Sequence, residues 1–449
     1  MTVRAWRYGV CLWALSGCVE ASNPSGGLER LATEAVVNSP AEAVDEDPAD
    51  DVVHVRLTAA PHTGDTWAYN GQIPGPTIRS KVGDTVKVTL TNNLPNPTTI
   101  HWHGVEVPFE MDGVIWKGAP IAAGEVFEYS FEVRSAGTFW YHPHFDTRHQ
   151  VDLGLYGAFI VEDPSEPATD RDLVVVFDQT GESVRYDTGP AHRHGLVPVD
   201  APWTVNGVVN PTIAVAPGER VRLRTLNASN TGYVSMSWPN MRHIANDQGL
   251  LSAVQMPQDV LLAPGDRAEF ELIGEETGFE VVNTPYSLMG GEAVGDKQVL
   301  FRVVPDGAQV SRSPVSWPSA ATPPSIDPGY ADAVYVFSGS SEGGNWMING
   351  ERFPDVTIEE FQVGQSVVLE VRNLSPSEHP FHMHGHSFEV LSRDGVPPAQ
   401  QLIEDTINVG IREIVRLRFT AANVGDWMTH CHILEHADEG MMTIIRVNP

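Results

Sequence analysis

The stretch THCHILEHADEGMM, residues 429–442, sets Cys431 between His430 and His432, with His436 four residues on and Met441 five after that. Thiolate, imidazole and thioether are soft or borderline donors. One Cys with two His and a distant Met is the donor set of a blue-copper electron-transfer site. Zinc accepts Cys and His but has no use for a thioether and prefers a closed four-ligand shell. Only one His at workable spacing accompanies Cys431, so a second has to come from elsewhere in the chain. On an extended backbone His430 and His432 point to the opposite face from Cys431. That geometry would give the cysteine to one metal and its two neighbours to another. The plainer alternative is a core cysteine in a histidine-rich patch.

The other histidines favour metal. The chain has 17 histidines in 449 residues, from which composition alone would yield about 0.6 His-x-His pairs. Six occur: 101/103, 142/144, 192/194, 382/384, 384/386 and 430/432. In a strand, positions i and i+2 face the same way, so each pair can offer two imidazoles to one site. The contexts are HWHG from His101, WYHPH ending at His144, HPFHMHGH from His379, and HCH itself. His192 and His194, in the polar loop GPAHRHG, read as the pair expected by chance. His54, His62 and His149 have no partner, and ordinary polar roles suffice for them.

Something must position these motifs, and the chain repeats itself three times. One half of the unit reads NGQIPGPTIRSKVGDTVKVTLTNNL from Asn70, NGVVNPTIAVAPGERVRLRTLNAS from Asn206 and NGERFPDVTIEEFQVGQSVVLEVRNLS from Asn349. The other reads PIAAGEVFEYSFEV from Pro120, LLAPGDRAEFELIG from Leu261 and INVGIREIVRLRF from Ile407. Each copy is a turn, a short strand, a Gly-containing turn and an alternating strand. A unit of about 140 residues is too long for a solenoid and suits a Greek-key sandwich. The alternation predicts sheets with one buried face. Two histidine motifs fall in the first copy and two in the third, while the middle copy holds only His192, His194 and His243.

Bulk composition agrees. The chain is 41% hydrophobic with 40 Gly and 34 Pro, which suits a turn-rich globular protein. A net charge of −30 argues against nucleic acid and is the mark of a solvated acidic surface, or of attraction for cationic substrates. The N-terminus MTVRAWRYGVCLWALSGC has the pattern of an export signal over residues 1–17, and LSGC (Leu15 to Cys18) resembles a bacterial lipoprotein box. Arg4 and Arg7 are not adjacent, so no twin-arginine signal is present. Loss of residues 1–17, with two arginines and no acid, would take the charge from −30 to −32. Cys11 would leave with the signal and Cys18 would carry lipid, so Cys431 would be the one thiol of the folded body, free of any disulfide. Residues 18–51, ending EAVDEDPADD, read as a flexible acidic tether. No other run is long and apolar enough to cross a membrane.

Four histidine motifs in this order on three repeats resemble the multicopper oxidase family, bacterial and laccase-like, over essentially all of residues 52–449. The resemblance implies an all-β chain of three consecutive cupredoxin-like Greek-key sandwiches: 52–166, 167–310 without copper, and 311–449 with the type 1 copper. Motif by motif it implies four copper ions. His379, Cys431 and His436, with Met441 axial, match the type 1 ligands, and His101 and His382 match type 2. His103, His142, His144, His384, His430 and His432 match the type 3 pair, while His386 is in the motif but is not a ligand. Cys431 with His430 and His432 would then be an electron wire between sites, and His436 would present the edge that meets substrate. The implied reaction couples one-electron oxidations at type 1 to reduction of O2 to water at a trinuclear cluster lying between the outer domains. An axial thioether should hold the type 1 potential below that of relatives with a non-coordinating residue there.

Asp112, in HWHGVEVPFEMDG, stands where similar enzymes carry a proton-relay carboxylate. Related bacterial enzymes read HILEHED, whereas Ala437 holds the position after His436 here, followed by Asp438 and Glu439. Either Asp112 and water suffice or a neighbouring acid substitutes. The expected partners are O2 and a small-molecule reductant (phenols or aromatic amines) or, as the rival, cuprous or ferrous ion. Nucleic acid is not expected, membrane contact is expected only through the lipid, and a monomer in the periplasm or cell envelope is anticipated. A two-domain copper nitrite reductase fits poorly, and a metal-free cupredoxin scaffold would not keep every expected ligand.

Overall fold

The computed structural model describes residues 35–449 apart from 116–117, 180–201, 292–294, 312 and 341–344. His192 and His194 lie outside the described residues, as do the signal and lipid-box positions.

The repeated sequence becomes repeated structure through its turns and its strand ends. Asn70, Asn206 and Asn349 sit at φ 51, 50 and 56, and the glycine after each is also left-handed. This is the tight turn that an Asn-Gly pair is suited to form. Each Asn side chain then bridges the backbone of its repeat's first strand: Asn70 to Thr58 and Arg56, Asn206 to Val176 and Val174, Asn349 to Val336 and Val334. A second asparagine closes each repeat's alternating strand. Asn92, Asn227 and Asn373 are fully buried, and their amides satisfy loop carbonyls on the way to the next strand.

Among the described residues six sheets result, two per repeat, stacked as three sandwiches. In every repeat the first strand pairs in parallel with the strand after the Asn-Gly turn region: Val52–Pro61 with Thr85–Asn92, Arg171–Asp178 with Arg220–Asn227, and Ala333–Ser338 with Ser366–Asn373. Each sandwich has its own apolar core, around Trp102 and Phe159, around Phe270 and Phe301, and around Phe381 and Trp427. A further apolar cluster of Trp140, Ile160, Val174, Val176, Leu226 and Leu434 draws on all three repeats. Arg171–Asp178 (RDLVVVFD) and Gly137–His142 (GTFWYH) are therefore buried on both faces and read as continuous apolar runs.

Two expectations are corrected here. The alternating strand Arg220–Asn227 (RVRLRTLN) looks one-sided and solvated in sequence, yet Arg222 is 6% and Arg224 2% exposed. Glu269 of the adjacent strand accepts from both, at 2.6 and 2.8 Å, and so makes their burial tolerable. The flexible tether fails for residues 35–51. Val37 inserts into the middle core at 7% exposure, Ala35 and Val37 pair with Thr212, and Ala41 and Ala43 pair with Thr77. Burying one valine is worth roughly 1.5 kcal/mol, and the backbone bonds fix the register. The acid-rich composition of the segment hides those few apolar contacts.

Candidate metal centres

Two strands of the third sandwich sort the donors by face. His379–Met383 and Gly425–Cys431 pair antiparallel, with Phe381 opposite Cys431 and His382 opposite His430. Cross-strand partners share a face, so Cys431, Phe381 and His379 point into the sandwich core while His382 and His430 point outward to the first sandwich. The first sandwich mirrors this. In His101–His103, Trp102 enters the core while His101 and His103 face out, paired with His142 and Trp140 of the next strand.

The core-facing set is compact. His379 Nδ1 lies 3.4 Å from Cys431 Sγ and 3.1 Å from His436 Nδ1, and Sγ lies 3.6 Å from His436 Nδ1. His436 rides on the short helix Leu434–Asp438, and its ring lies over Trp346 at 4.1 Å between centroids. Met441 is buried in the same core, and its carbonyl accepts from the Cys431 N–H at 3.1 Å. His379 Nε2 is tied to Ser375 Oγ at 2.6 Å. Burial holds the His379 imidazole down at about 3 and pushes the Cys431 thiol up. A thiolate here needs a cation beside it.

The outward set gathers His101, His103, His142, His144, His382, His384, His430 and His432 into the seam between the first and third sandwiches. Backbone carbonyls can only accept, and they fix several tautomers. His101 Nδ1 donates to Asp112 O, His142 Nδ1 to Pro143 O, His382 Nδ1 to Asp405 O and His430 Nδ1 to Cys431 O, all at 2.9 or 3.0 Å. His384 Nδ1 donates to Asp112 Oδ2 at 2.9 Å. In its neutral form each of these rings therefore turns a bare Nε2 lone pair toward the seam. Those atoms meet one another: His101 and His382 at 3.4 Å, His384 and His430 at 3.1 Å, with His144 3.5 Å from His430. Lone pairs facing at such distances repel unless a cation lies between them. His103 Nδ1, His142 Nε2 and both nitrogens of His432 are buried with no hydrogen-bond partner, so the third corner of the site also consists of orphaned donors. Burial, followed by the neighbouring imidazoles, holds His103, His142, His144, His382, His384 and His432 well below the usual histidine range. They are neutral at pH 7 and ready to ligate. A further grouping of His103, His382 and Asp405 uses the ring nitrogens opposite those facing the seam, and serves as hydrogen-bonding support.

Asp112 is 1% exposed, and its carboxylate reaches His384 Nδ1 at 2.9 Å and His101 Nδ1 at 3.2 Å. The gap left by Ala437 borders a cavity of about 320 Å³ lined by His144, His430, Asp146 and Asp438. Burial, opposed by Arg148, raises Asp438 to about 6. His386 packs edge-on against Trp427 and accepts from the Asn423 N–H, as a packing residue would. His243 donates to the Ala245 carbonyl and stacks on Phe270.

Sequence reasoning missed the part that Ser375, Asp405, Thr406, Gly265 and Arg267 play in supporting the ligand rings; Gly265 and Arg267 fall in the repeated LLAPGDRAEFELIG, which marks a turn and a strand and says nothing of the site. Thr406 Oγ1 sits 2.9 Å from His103 Nε2 and 3.1 Å from His382 Nδ1. The middle repeat, though it supplies no ligand, abuts the site, because a Cβ on Gly265 would lie 3.0 Å from His432 and 3.2 Å from His103.

Three cupredoxin sandwiches, with a Cys–His set in one core and eight imidazoles in one seam, define a copper redox protein. Comparison with known proteins supplies the family. Family models for multicopper oxidases match residues 52–166 and 325–449. The multicopper oxidase mco of Staphylococcus haemolyticus is 33% identical over 405 residues, spanning 85% of this chain and 84% of the relative. A multicopper oxidase structure from Campylobacter jejuni, described as a metallo-oxidase, superposes with a TM-score of 0.80 at 25% identity, covering 93% of this chain and 96% of that one. The laccase of Pediococcus acidilactici does so at 0.78 and 29%, covering 93% and 94%. The chain belongs to the multicopper oxidase family. It is a copper-dependent oxidoreductase that uses O2 as acceptor.

Proposed function

We propose that the chain holds four copper ions and oxidises phenols and aromatic amines in the manner of a laccase. The facing, unprotonated Nε2 atoms in the seam carry the copper assignment. In this reading His379, Cys431 and His436, with Met441 as a further donor, would hold type 1, and His101 and His382 would hold type 2. His144, His384 and His430 hold one type 3 ion and His103, His142 and His432 the other. Copper so bound would supply one-electron redox chemistry, by which four electrons from the reductant, with four protons, reduce O2 to two waters.

The protein does the rest. Cys431 joins the core-facing site to the seam through the backbone of His430 and His432, neighbours in one strand end. Burial of these rings keeps water from competing for the ligand positions. Asp112 orients His384 and His101, and its carboxylate, beside the seam, is the group we assign to proton delivery. His436, on its short helix and 5% exposed, would be the ligand whose edge the reductant approaches.

A second reading, oxidation of cuprous or ferrous ion, is favoured by the net charge of −30 and by the Campylobacter relative described as a metallo-oxidase. Oxygen uptake by the copper-loaded protein with a phenol, ferrous ion and cuprous ion in parallel separates the two. Rapid uptake with the phenol supports the first reading, and preference for a metal ion supports the second. A blue protein that consumes no oxygen with any of them would refute both. We further propose an exported monomer lipidated at Cys18, tested by mass spectrometry of the mature N-terminus and by sedimentation; an unmodified N-terminus would refute the anchor.

A further inference from the structure

We propose that Arg267, from the middle sandwich, is the positioning residue that seats the trinuclear site across the seam between the outer two. The proposal rests on the copper assignment above and adds a role for the domain that supplies no ligand. Arg267 is 2% exposed and touches all three repeats. Its Nε donates to the Thr138 carbonyl of the first sandwich at 2.8 Å, and its Nη1 to the Gly265 carbonyl of its own turn at 3.0 Å. Both Nη atoms grip the Asp405 carboxylate of the third sandwich, Nη1 to Oδ1 at 2.8 Å and Nη2 to Oδ2. This two-pronged grip needs a planar guanidinium and sets the angle of the carboxylate as well as its position.

Asp405 passes that orientation on to ligands from two domains. Its Oδ1 lies 3.1 Å from His103 Nε2 of the first sandwich, and its backbone carbonyl accepts from His382 Nδ1 at 2.9 Å. Oδ1 also accepts from Thr406 Oγ1 at 3.0 Å, and Thr406 contacts the same two histidines. One guanidinium therefore governs the rotation of His103 and His382, which the copper reading gives to different ions. Two glycines make room for the arrangement. A Cβ on Gly104, the last residue of HWHG, would lie 2.5 Å from Asp405 Oδ2 and 2.6 Å from Arg267 Nη2. Gly265, two residues before Arg267, abuts His103 and His432 in the same way.

The test compares Arg267→Lys and Asp405→Asn with the wild type for copper content per chain, type 2 electron paramagnetic resonance, blue absorbance and thermal unfolding. Lys keeps the charge but cannot grip both oxygens, and Asn changes a single atom of the carboxylate. The expected result is selective: blue absorbance retained, type 2 signal and copper content reduced, and copper retention in the seam weakened about 10–100-fold. Four coppers and an unchanged type 2 signal in both variants would overturn the proposal. So would loss of the blue colour or of the fold in step with the type 2 signal, which would make Arg267 a general structural residue. A wild type lacking any type 2 signal would instead count against the copper assignment.

Discussion

Replacing Ser375 by alanine tests which nitrogen of His379 faces the metal. Ser375 and His379 are both buried, at 3% and 0% exposure, so no water replaces a lost contact. The Ser375 hydroxyl proton is directed to Asn373 Oδ1 at 2.8 Å or Ser377 O at 2.9 Å, which leaves Oγ to accept from His379 Nε2 at 2.6 Å. Nδ1, facing Cys431 and His436, is then the ligand atom. Alanine leaves an N–H buried and unpaired, a penalty of about 1–3 kcal/mol. The lost bond also makes the imidazole less basic, which disfavours the oxidised ion more than the reduced one. A differential weakening of up to tenfold corresponds to a rise of up to about 59 mV in a one-electron potential. Redox titration of the blue band and denaturant unfolding of the apoprotein measure the two effects. A variant with unchanged stability and an unchanged or lowered potential would refute the assignment of Nδ1 as ligand.

Cys431→Ser should abolish the blue band and oxygen uptake while the type 2 resonance persists, because the seam ligands do not include the thiol; loss of both signals would show that the two sites assemble as one. Asp112→Asn sets an amide against the His384 imidazole N–H now held by the carboxylate, and beside the His101 ring held by the backbone carbonyl of the same residue. Reoxidation by O2 should slow by about 10–100-fold while anaerobic bleaching of the blue band keeps its rate, a split that stopped-flow absorbance resolves. Glu269→Gln leaves Arg222 and Arg224 buried without their shared anion and should cost about 3–5 kcal/mol in denaturant unfolding. Burial alone would raise the Glu269 carboxyl, but the two arginines outweigh it and hold it at about 2. Its folded value lies below its unfolded one, so its contribution, about 3 kcal/mol, is present above the ordinary carboxylate range and lost as pH falls from about 4.5 through 2. The wild type should therefore lose stability over that window faster than Glu269→Gln.

The sequence by itself determined the sandwiches and the ligand roster. Turn chemistry is local: Asn-Gly at 70, 206 and 349 forms its turn wherever it stands, and period-two alternation assigns faces before any partner strand is known. That is why HCH could be read as one donor for one site and two for another, and why the structure finds Cys431 in a core and His430 and His432 in a seam. What only the tertiary structure decided lies where separate repeats meet. The arginines of RVRLRTLN look solvated until Glu269 arrives from the adjacent strand, and residues 35–51 look loose until Val37 meets the middle core. Arg267, Asp405 and Ser375 carry no motif that marks the site because their partners are supplied by other segments; Arg267 and Asp405 lie 138 residues apart along the chain. A hydrogen bond to a ligand's remote nitrogen depends on position in space and leaves no spacing in sequence to read.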